Sequence, residues 1–135
     1  MNESLLSILK RYRINITRAR LDILEIFIQS KEGLSHNYFV KESGRNLDRV
    51  TVFRTLKLFV AKKIVYMVPA PDRVNRYIFN PERTGIRLNF ICGVCKKVFP
   101  LESNIHPEIR LPDGFRKQNM EITINGICVN CKATN

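Results

Sequence analysis

The chain has 135 residues, of which 44% are hydrophobic and 26% are charged, a balance typical of a folded globular protein and not of a disordered one. With 23 Lys and Arg against 12 Asp and Glu, the formal net charge is +11, and nucleic acid is the first candidate for an anionic partner. The apolar runs are much shorter than a membrane span and the first residues lack a signal-peptide pattern, so we expect a soluble, cytoplasmic protein.

The first part of the chain has the hydrophobic periodicity of helices. The pattern predicts a short helix over residues 3–12 and a second helix between Thr17, as its cap, and Gly33. A third helix is predicted over residues 35–43, with Gly44 as the stop that takes a left-handed conformation. On the second helix the predicted core face consists of Leu21, Leu24 and Ile28.

A fourth helix is predicted over residues 48–63, with Asp48 as its N-cap. Its predicted core stripe is Val52, Leu56, Phe59 and Val60, and its outer face has cations without a carboxylate. A helix, a short turn and a second helix are typical of a helix-turn-helix, although a charged face is more often simply solvated. The predicted DNA contacts are Arg49, Val50, Thr51, Phe53, Arg54 and Lys57 on this helix and Arg13, Arg18, Arg20 and Arg76 elsewhere.

Two β-prone runs follow, over residues 64–68 and 77–79, and they flank a Pro-Asp turn region. Helices followed by a hairpin are the order of a winged helix, in which Arg73 and Arg76 would belong to the wing. The connector at residues 81–85 marks the predicted boundary. We therefore expect a winged-helix DNA-binding domain over residues 1–82 and a second domain over residues 83–135.

All four cysteines lie in the second part, in two C-x2-C pairs. Four thiolates form the closed tetrahedral shell that structural zinc prefers, and this shell leaves no position for a catalytic water. We predict one structural zinc ion per subunit, with free buried thiols or two redox-active pairs as the alternatives. The predicted ligands are Cys92, Cys95, Cys128 and Cys131.

The sequence around the two cysteine pairs predicts a small α/β unit. Strands are expected over residues 88–92, 98–101 and 121–127, and a short helix over residues 104–110. We expect no enzymatic activity, because the chain lacks a Ser/His/Asp set, a phosphate-binding Gly-rich loop and an open metal site.

Four stretches, in this order, resemble the ferric uptake regulator family of bacterial repressors. They are Thr17-Arg-Ala-Arg20 followed by LDIL, Thr51-Val-Phe-Arg54-Thr-Leu, Phe90-Ile-Cys-Gly-Val-Cys95-Lys-Lys-Val and Cys128-Val-Asn-Cys131. The resemblance implies an α+β homodimer: an N-terminal winged helix binds an operator in double-stranded DNA, and a small C-terminal α/β domain with the four-cysteine zinc site dimerises. We also expect no membrane partner and no small-molecule substrate.

The sequence departs from the family at the second, regulatory metal site, which usually lies between the domains. Where the family has a His-rich run, this chain has Arg87-Leu-Asn-Phe90, and two further ligand positions fall at Met120 and Ile78. His36 lies near a family ligand position, and His106 is the other histidine of the chain. Because sensing a divalent metal needs several converging ligands, we expect this site to be degraded or absent, with Arg87 in its space.

Three other functions stay open from the residues alone. The first is a redox or peroxide sensor that releases zinc when its cysteines are oxidised. The second is a metal sensor that uses a non-standard second site. The third is an RNA-binding protein of the zinc-ribbon type, which the scarcity of aromatic residues beside the cations disfavours.

Overall fold

The structure, a computed structural model, describes residues 4–80, 86–101 and 108–132. Three helices and a π-helical turn precede a hairpin, and a three-stranded sheet with a last short helix follows, which confirms the predicted α+β class. No helix in these ranges is long and apolar enough to cross a membrane. The elements are α1 (Leu5–Arg11), α2 (Arg18–Gln29), the π-helical turn (Tyr38–Glu42), α3 (Arg49–Ala61), β1 (Val65–Pro69), β2 (Asn75–Phe79), β3 (Ile86–Cys92), β4 (Val98–Pro100), β5 (Met120–Gly126) and α4 (Val129–Lys132).

Each of the first three α-helices begins at a side chain that caps it. The side chains of Ser4, Thr17 and Asp48 each accept a hydrogen bond from the backbone N–H three residues later. These bonds satisfy N–H groups that have no acceptor within the helix. The predicted caps Thr17 and Asp48 are therefore confirmed.

The predicted third helix is shorter than expected and π-helical, over Tyr38–Glu42. The hydroxyl of Ser43 donates to the carbonyl of Phe39 at 2.6 Å, and this carbonyl is the acceptor that an α-helix would offer to the N–H of Ser43. Gly44 follows with a φ of +73°, the left-handed conformation predicted for it.

The first core lies between the three α-helices and the start of the hairpin. Val52, Leu56 and Phe59 are buried as predicted, but Val60 is 38% exposed and Thr55 is buried in its place. At about 100° per residue, Val60 lies about 80° around α3 from Val52, at the edge of the buried stripe. On α2 the phase was also wrong: Ile28 is exposed and Leu21 half-buried, and the buried side chains are Ile23, Leu24, Ile26 and Phe27.

Two sheets hold the remaining strands. β1 and β2 form an antiparallel hairpin, and the second sheet has the order β4-β3-β5, with β3 antiparallel to β4 and parallel to β5. All five predicted strands are present, each shifted by no more than two residues at either end. The predicted boundary at residues 81–85 lies outside the described residues, as does most of the predicted helix over 104–110, whose residues 108–110 have no regular structure.

The hairpin packs against the second sheet through a small apolar cluster. Gly33, in the loop after α2, donates its N–H to the carbonyl of Val98 on β4 at 2.6 Å. A Cβ at Gly33 would lie 2.9 Å from the Cβ of Arg76, so the close approach requires glycine. The cluster consists of Tyr66, Val68, Ala70 and Ile78 from the hairpin segment and Ile91 and Val98 from the second sheet.

Phe59→Ala should lower the free energy of unfolding by about 3–5 kcal/mol, because it empties a fully enclosed position in the first core. Val60→Ala, one residue later, should cost no more than about 1 kcal/mol, because that side chain is partly in water. Urea denaturation followed by circular dichroism measures both variants, and equal losses would contradict the phase of α3.

Candidate functional site

The sheet topology brings the two cysteine pairs to one place. β3 ends at Cys92, which faces Gly126, the last residue of β5, in the parallel register. Carboxyl ends of parallel strands share one edge, so Cys128, two residues beyond β5, lies beside Cys92. Cys95 follows in the β3–β4 turn and Cys131 lies in α4.

The four sulfur atoms form a compact group in which all Sγ atoms lie within 4.8 Å of one another. The Sγ atoms of Cys95 and Cys128 are 3.8 Å apart, the edge of about 3.8 Å expected for a tetrahedron of sulfurs at about 2.3 Å from zinc. Among residues 4–80, 86–101 and 108–132, this is the one group of three or more His, Cys, Asp or Glu with converging ligand atoms. The geometry and the donor set therefore fit a tetrahedral metal ion.

The surroundings of the sulfurs separate their pKa values. Backbone N–H groups of Cys128 and Cys95 donate to the sulfur of Cys92 and lower its pKa to about 6. Desolvation within the cluster, followed by the neighbouring thiols, raises the pKa of Cys131 to about 12. Desolvation also raises the pKa of Cys95. One thiolate forms readily, whereas four together need a cation to balance their charge.

A second candidate site is the α3 surface, which we define by Arg49, Val50, Phe53, Arg54 and Lys57. Together with His36, these residues line a shallow hollow of about 530 Å³. Val50 and Phe53 are 55% and 58% exposed, so two apolar side chains stand among the cations of this surface. All of the predicted contacts on α3 except Thr51 share this surface.

Thr51 is tied to the cap of α3. Its side chain and backbone N–H both bond to the carboxylate of Asp48, and these bonds hold the pKa of Asp48 below its usual range. Thr51 is half-buried and stabilises the start of the helix, and the DNA contact predicted for it stays a prediction.

His36 lies against the α3 surface. Its Nε2 lies 3.0 Å from the carbonyl oxygen of Arg49, and because a carbonyl only accepts, Nε2 is the donor. Its ring meets the ring of Phe53 edge-on, with centroids 6.4 Å apart. Sequence reasoning placed His36 near a metal-ligand position and missed this contact, because it depends on how the π-helical turn lies against α3.

The remaining predicted cations differ in their surroundings. Arg13 is exposed in the loop before α2 and Arg18 is exposed at the first turn, whereas Arg20 donates to the carbonyl of Asn15 at 2.7 Å. Arg76 pairs with Asp72 at 2.8 Å and its side chain is 13% exposed, and the DNA contact predicted for it stays a prediction. Arg73, with a φ of +65°, is exposed in the hairpin loop.

At the positions expected for the regulatory metal site, the structure describes Ile78, Met120 and Arg87. Ile78 is buried in the apolar cluster, and Met120 begins β5 opposite Ile86. The guanidinium carbon of Arg87 lies 4.5 Å from the centre of the Tyr66 ring. Within the described ranges, no group of three or more His, Cys, Asp or Glu with converging ligand atoms lies at this junction.

Three helices, of which α3 is basic and exposed, are followed by a hairpin, and this arrangement defines a winged-helix protein. Its C-terminal sheet has the four clustered thiols of a metal-binding site. A sequence profile of the ferric uptake regulator family matches residues 12–133, and the chain belongs to this family of transcription regulators. The predicted resemblance is confirmed.

Relatives show the same fold at low sequence identity. The ferric uptake regulation protein of Bacillus subtilis (strain 168) is 28% identical over 97 residues, a match that covers 68% of this chain and 65%, just under two thirds, of that protein. The Helicobacter pylori ferric uptake regulator, described with three functional metal binding sites, superposes with a TM-score of 0.69 at 16% identity, covering 98% of this chain and 97% of that chain. A zinc uptake regulator complexed with zinc and DNA gives a TM-score of 0.63 at 18% identity, covering 96% and 91%.

Cys128→Ser should reduce tightly bound zinc from about one ion per chain to a small fraction, because three thiolates and a hydroxyl hold zinc weakly. Asn130→Ser, a change inside the same C-x2-C pair but not at a ligand, should leave the zinc content unchanged. Elemental analysis after dialysis against a chelator measures both, and full zinc retention in Cys128→Ser would exclude this cysteine as a ligand.

Proposed function

We propose that the protein is a homodimeric transcription regulator, most simply a repressor, that binds an operator in double-stranded DNA through the α3 surface. The observation that carries this proposal is the surface itself: cations and exposed apolar side chains share one face of a helix that contains no acidic residue. The major groove of B-DNA admits one such helix, with arginine bonding guanine or phosphate and apolar groups contacting thymine methyls. Family membership and the similar fold of a regulator complexed with DNA support it.

The free edge of β5 supports a dimer built from two C-terminal sheets. β5 is an edge strand in the described sheet, and edge strands offer unpaired backbone groups to a second chain. Ile124 on β5 and Ile127 just beyond it are 44% and 51% exposed, an apolar surface that a second copy would cover. Such a dimer presents two α3 surfaces to half-sites about 34–36 Å apart on a near-palindromic operator, and occupancy would block the promoter.

One zinc ion per subunit, held by the four cysteines, has a structural role in this proposal. It would join the ends of β3 and β5 to α4, and its closed shell leaves no position for catalysis, which agrees with a regulator and not an enzyme. We place the protein in the cytoplasm, without a membrane partner or a small-molecule substrate.

In this proposal the regulatory metal site of the family is degraded or absent, because no second group of converging ligands is found among the described residues, and DNA binding would need no second metal. Arg87 and the apolar cluster that contains Ile78 take the place of ligands at the junction between the hairpin and the second sheet. The alternatives are a redox sensor, which would release zinc at low peroxide concentrations, and a metal sensor with a non-standard site.

Arg54→Ala should weaken binding to an operator selected from randomised duplexes. A base-contacting arginine is worth about 1–3 kcal/mol, and a dimer loses two of them, so we expect at least about a 30-fold loss of affinity. Arg110→Ala removes the same charge from an exposed position outside α3 and should change affinity much less. Fluorescence anisotropy at fixed salt measures both, and equal affinities would contradict binding through α3.

Adding manganese, iron or zinc to the zinc-loaded protein should neither bind a second equivalent tightly nor increase operator affinity. The reason is that no second group of converging ligands is present among the described residues. Calorimetry detects the binding and anisotropy its effect on DNA. A second equivalent that tightens operator binding would show a working metal sensor.

A further inference from the structure

We propose that Tyr66, Arg87 and Asn89 form a fixed joint, which positions the α3 surface for a defined operator spacing without a metal ion. The inference rests on the proposed DNA binding and names the residues that hold the hairpin against the second sheet. These three residues are called the joint below.

The contacts within the joint cross from β1 to β3. The hydroxyl of Tyr66 donates to Oδ1 of Asn89 at 2.9 Å, and the two side chains are 5% and 4% exposed. Burial raises the pKa of Tyr66, so the phenol keeps its proton and remains a donor at neutral pH. Because a buried polar atom without a partner is unfavourable, each of the two side chains holds the other in place.

Arg87 connects the joint to β5, so that three strands take part in these contacts. Its guanidinium lies over the ring of Tyr66, and its Nη1 lies 2.5 Å from a carboxylate oxygen of Glu121, the residue opposite it on β5. Arg87 and Asn89 are two residues apart on β3, so their side chains leave the same face of the sheet. The joint thus fixes β1 to both parallel strands of the second sheet, and the charge of Arg87 is balanced inside it.

A second set of contacts holds another part of the interface between the hairpin segment and the second sheet. The N–H of Gly33 donates to the carbonyl of Val98, and Glu32 pairs with Lys97 at 3.4 Å. The apolar cluster contains both Tyr66 of the joint and Val98 of these contacts, so it connects the two sets. A rotation of the hairpin against the second sheet would therefore break contacts at two separated places.

The joint also fixes the orientation of α3 relative to the second sheet. The helix ends at Ala61 and β1 begins at Val65, and the two elements pack against each other. In a dimer formed through the second sheets, the joint therefore fixes the distance and angle between two α3 surfaces. Hydrogen bonds and ring stacking are directional, whereas an apolar cluster alone tolerates small slips, so the joint supplies the precision.

The test compares Tyr66→Phe, which removes one hydroxyl, and Arg87→Lys, which keeps the charge but removes the planar group. Tyr77→Phe makes the same chemical change on β2 and is the matched control. Anisotropy gives the affinity for three duplexes. They are the selected operator, the same operator with about two base pairs inserted between its half-sites, and a single half-site. Zinc content and sedimentation verify that each variant retains its metal and its oligomeric state.

Tyr66→Phe and Arg87→Lys should each reduce the preference for the correct spacing by about fivefold or more, while single half-site affinity stays within about twofold. Tyr77→Phe should keep the wild-type preference. Unchanged discrimination in both joint variants would overturn the proposal, and so would a uniform loss on all three duplexes.

A readout without DNA separates this inference from the proposed function. If the joint holds the boundary, the amide of Gly33, which bonds to Val98, should exchange with solvent about tenfold faster in Tyr66→Phe than in Tyr77→Phe. If the wild-type chain binds no duplex, the proposed function fails while this measurement still decides whether the joint exists. Equal exchange rates in the two variants would show that the joint does not hold the boundary.

Discussion

The parallel ladder between β3 and β5 is the interaction on which both functional parts of the molecule depend. Its register ends both strands at the same edge, and this brings together the sulfurs of two cysteine pairs that have 32 residues between them in sequence. The same register sets Arg87 opposite Glu121, so its guanidinium is held over Tyr66. A metal at one end and an ion pair along its length would stabilise one ladder.

Several arginines of the molecule pair with carboxylates, whereas the cations of α3 lie on an exposed face. Arg45 pairs with Asp22 and Glu25 between α2 and the loop before α3, and Arg76 and Arg87 have their own carboxylates. The cations of α3 have no such neighbour within their helix, and exposed Val50 and Phe53 stand among them. A surface that combines cations with exposed apolar groups matches the chemistry of DNA, which offers both phosphates and thymine methyls.

Local chemistry was the best guide to the elements. The caps at Thr17 and Asp48, the five strands and the left-handed Gly44 were predicted, because each depends on residues within one turn or one strand. The predicted buried faces of α2 and α3 were partly wrong, because two adjacent apolar stripes fit the same helix and only tertiary packing determines which one is buried. Val60 and Ile28 are exposed for this reason. The partnership of Arg76 with Asp72 and the place of His36 depend on loop conformations that periodicity does not encode.

The sequence by itself determined the positive charge, the α+β order of elements and the four thiols. It did so because net charge, hydrophobic period and ligand type are properties of residues and short spacings. The tertiary structure alone decided that Gly33 meets Val98 and that Tyr66, Arg87 and Asn89 meet at the boundary. Contacts between residues more than twenty positions apart depend on how whole sheets pack, and no local pattern in the chain specifies that packing.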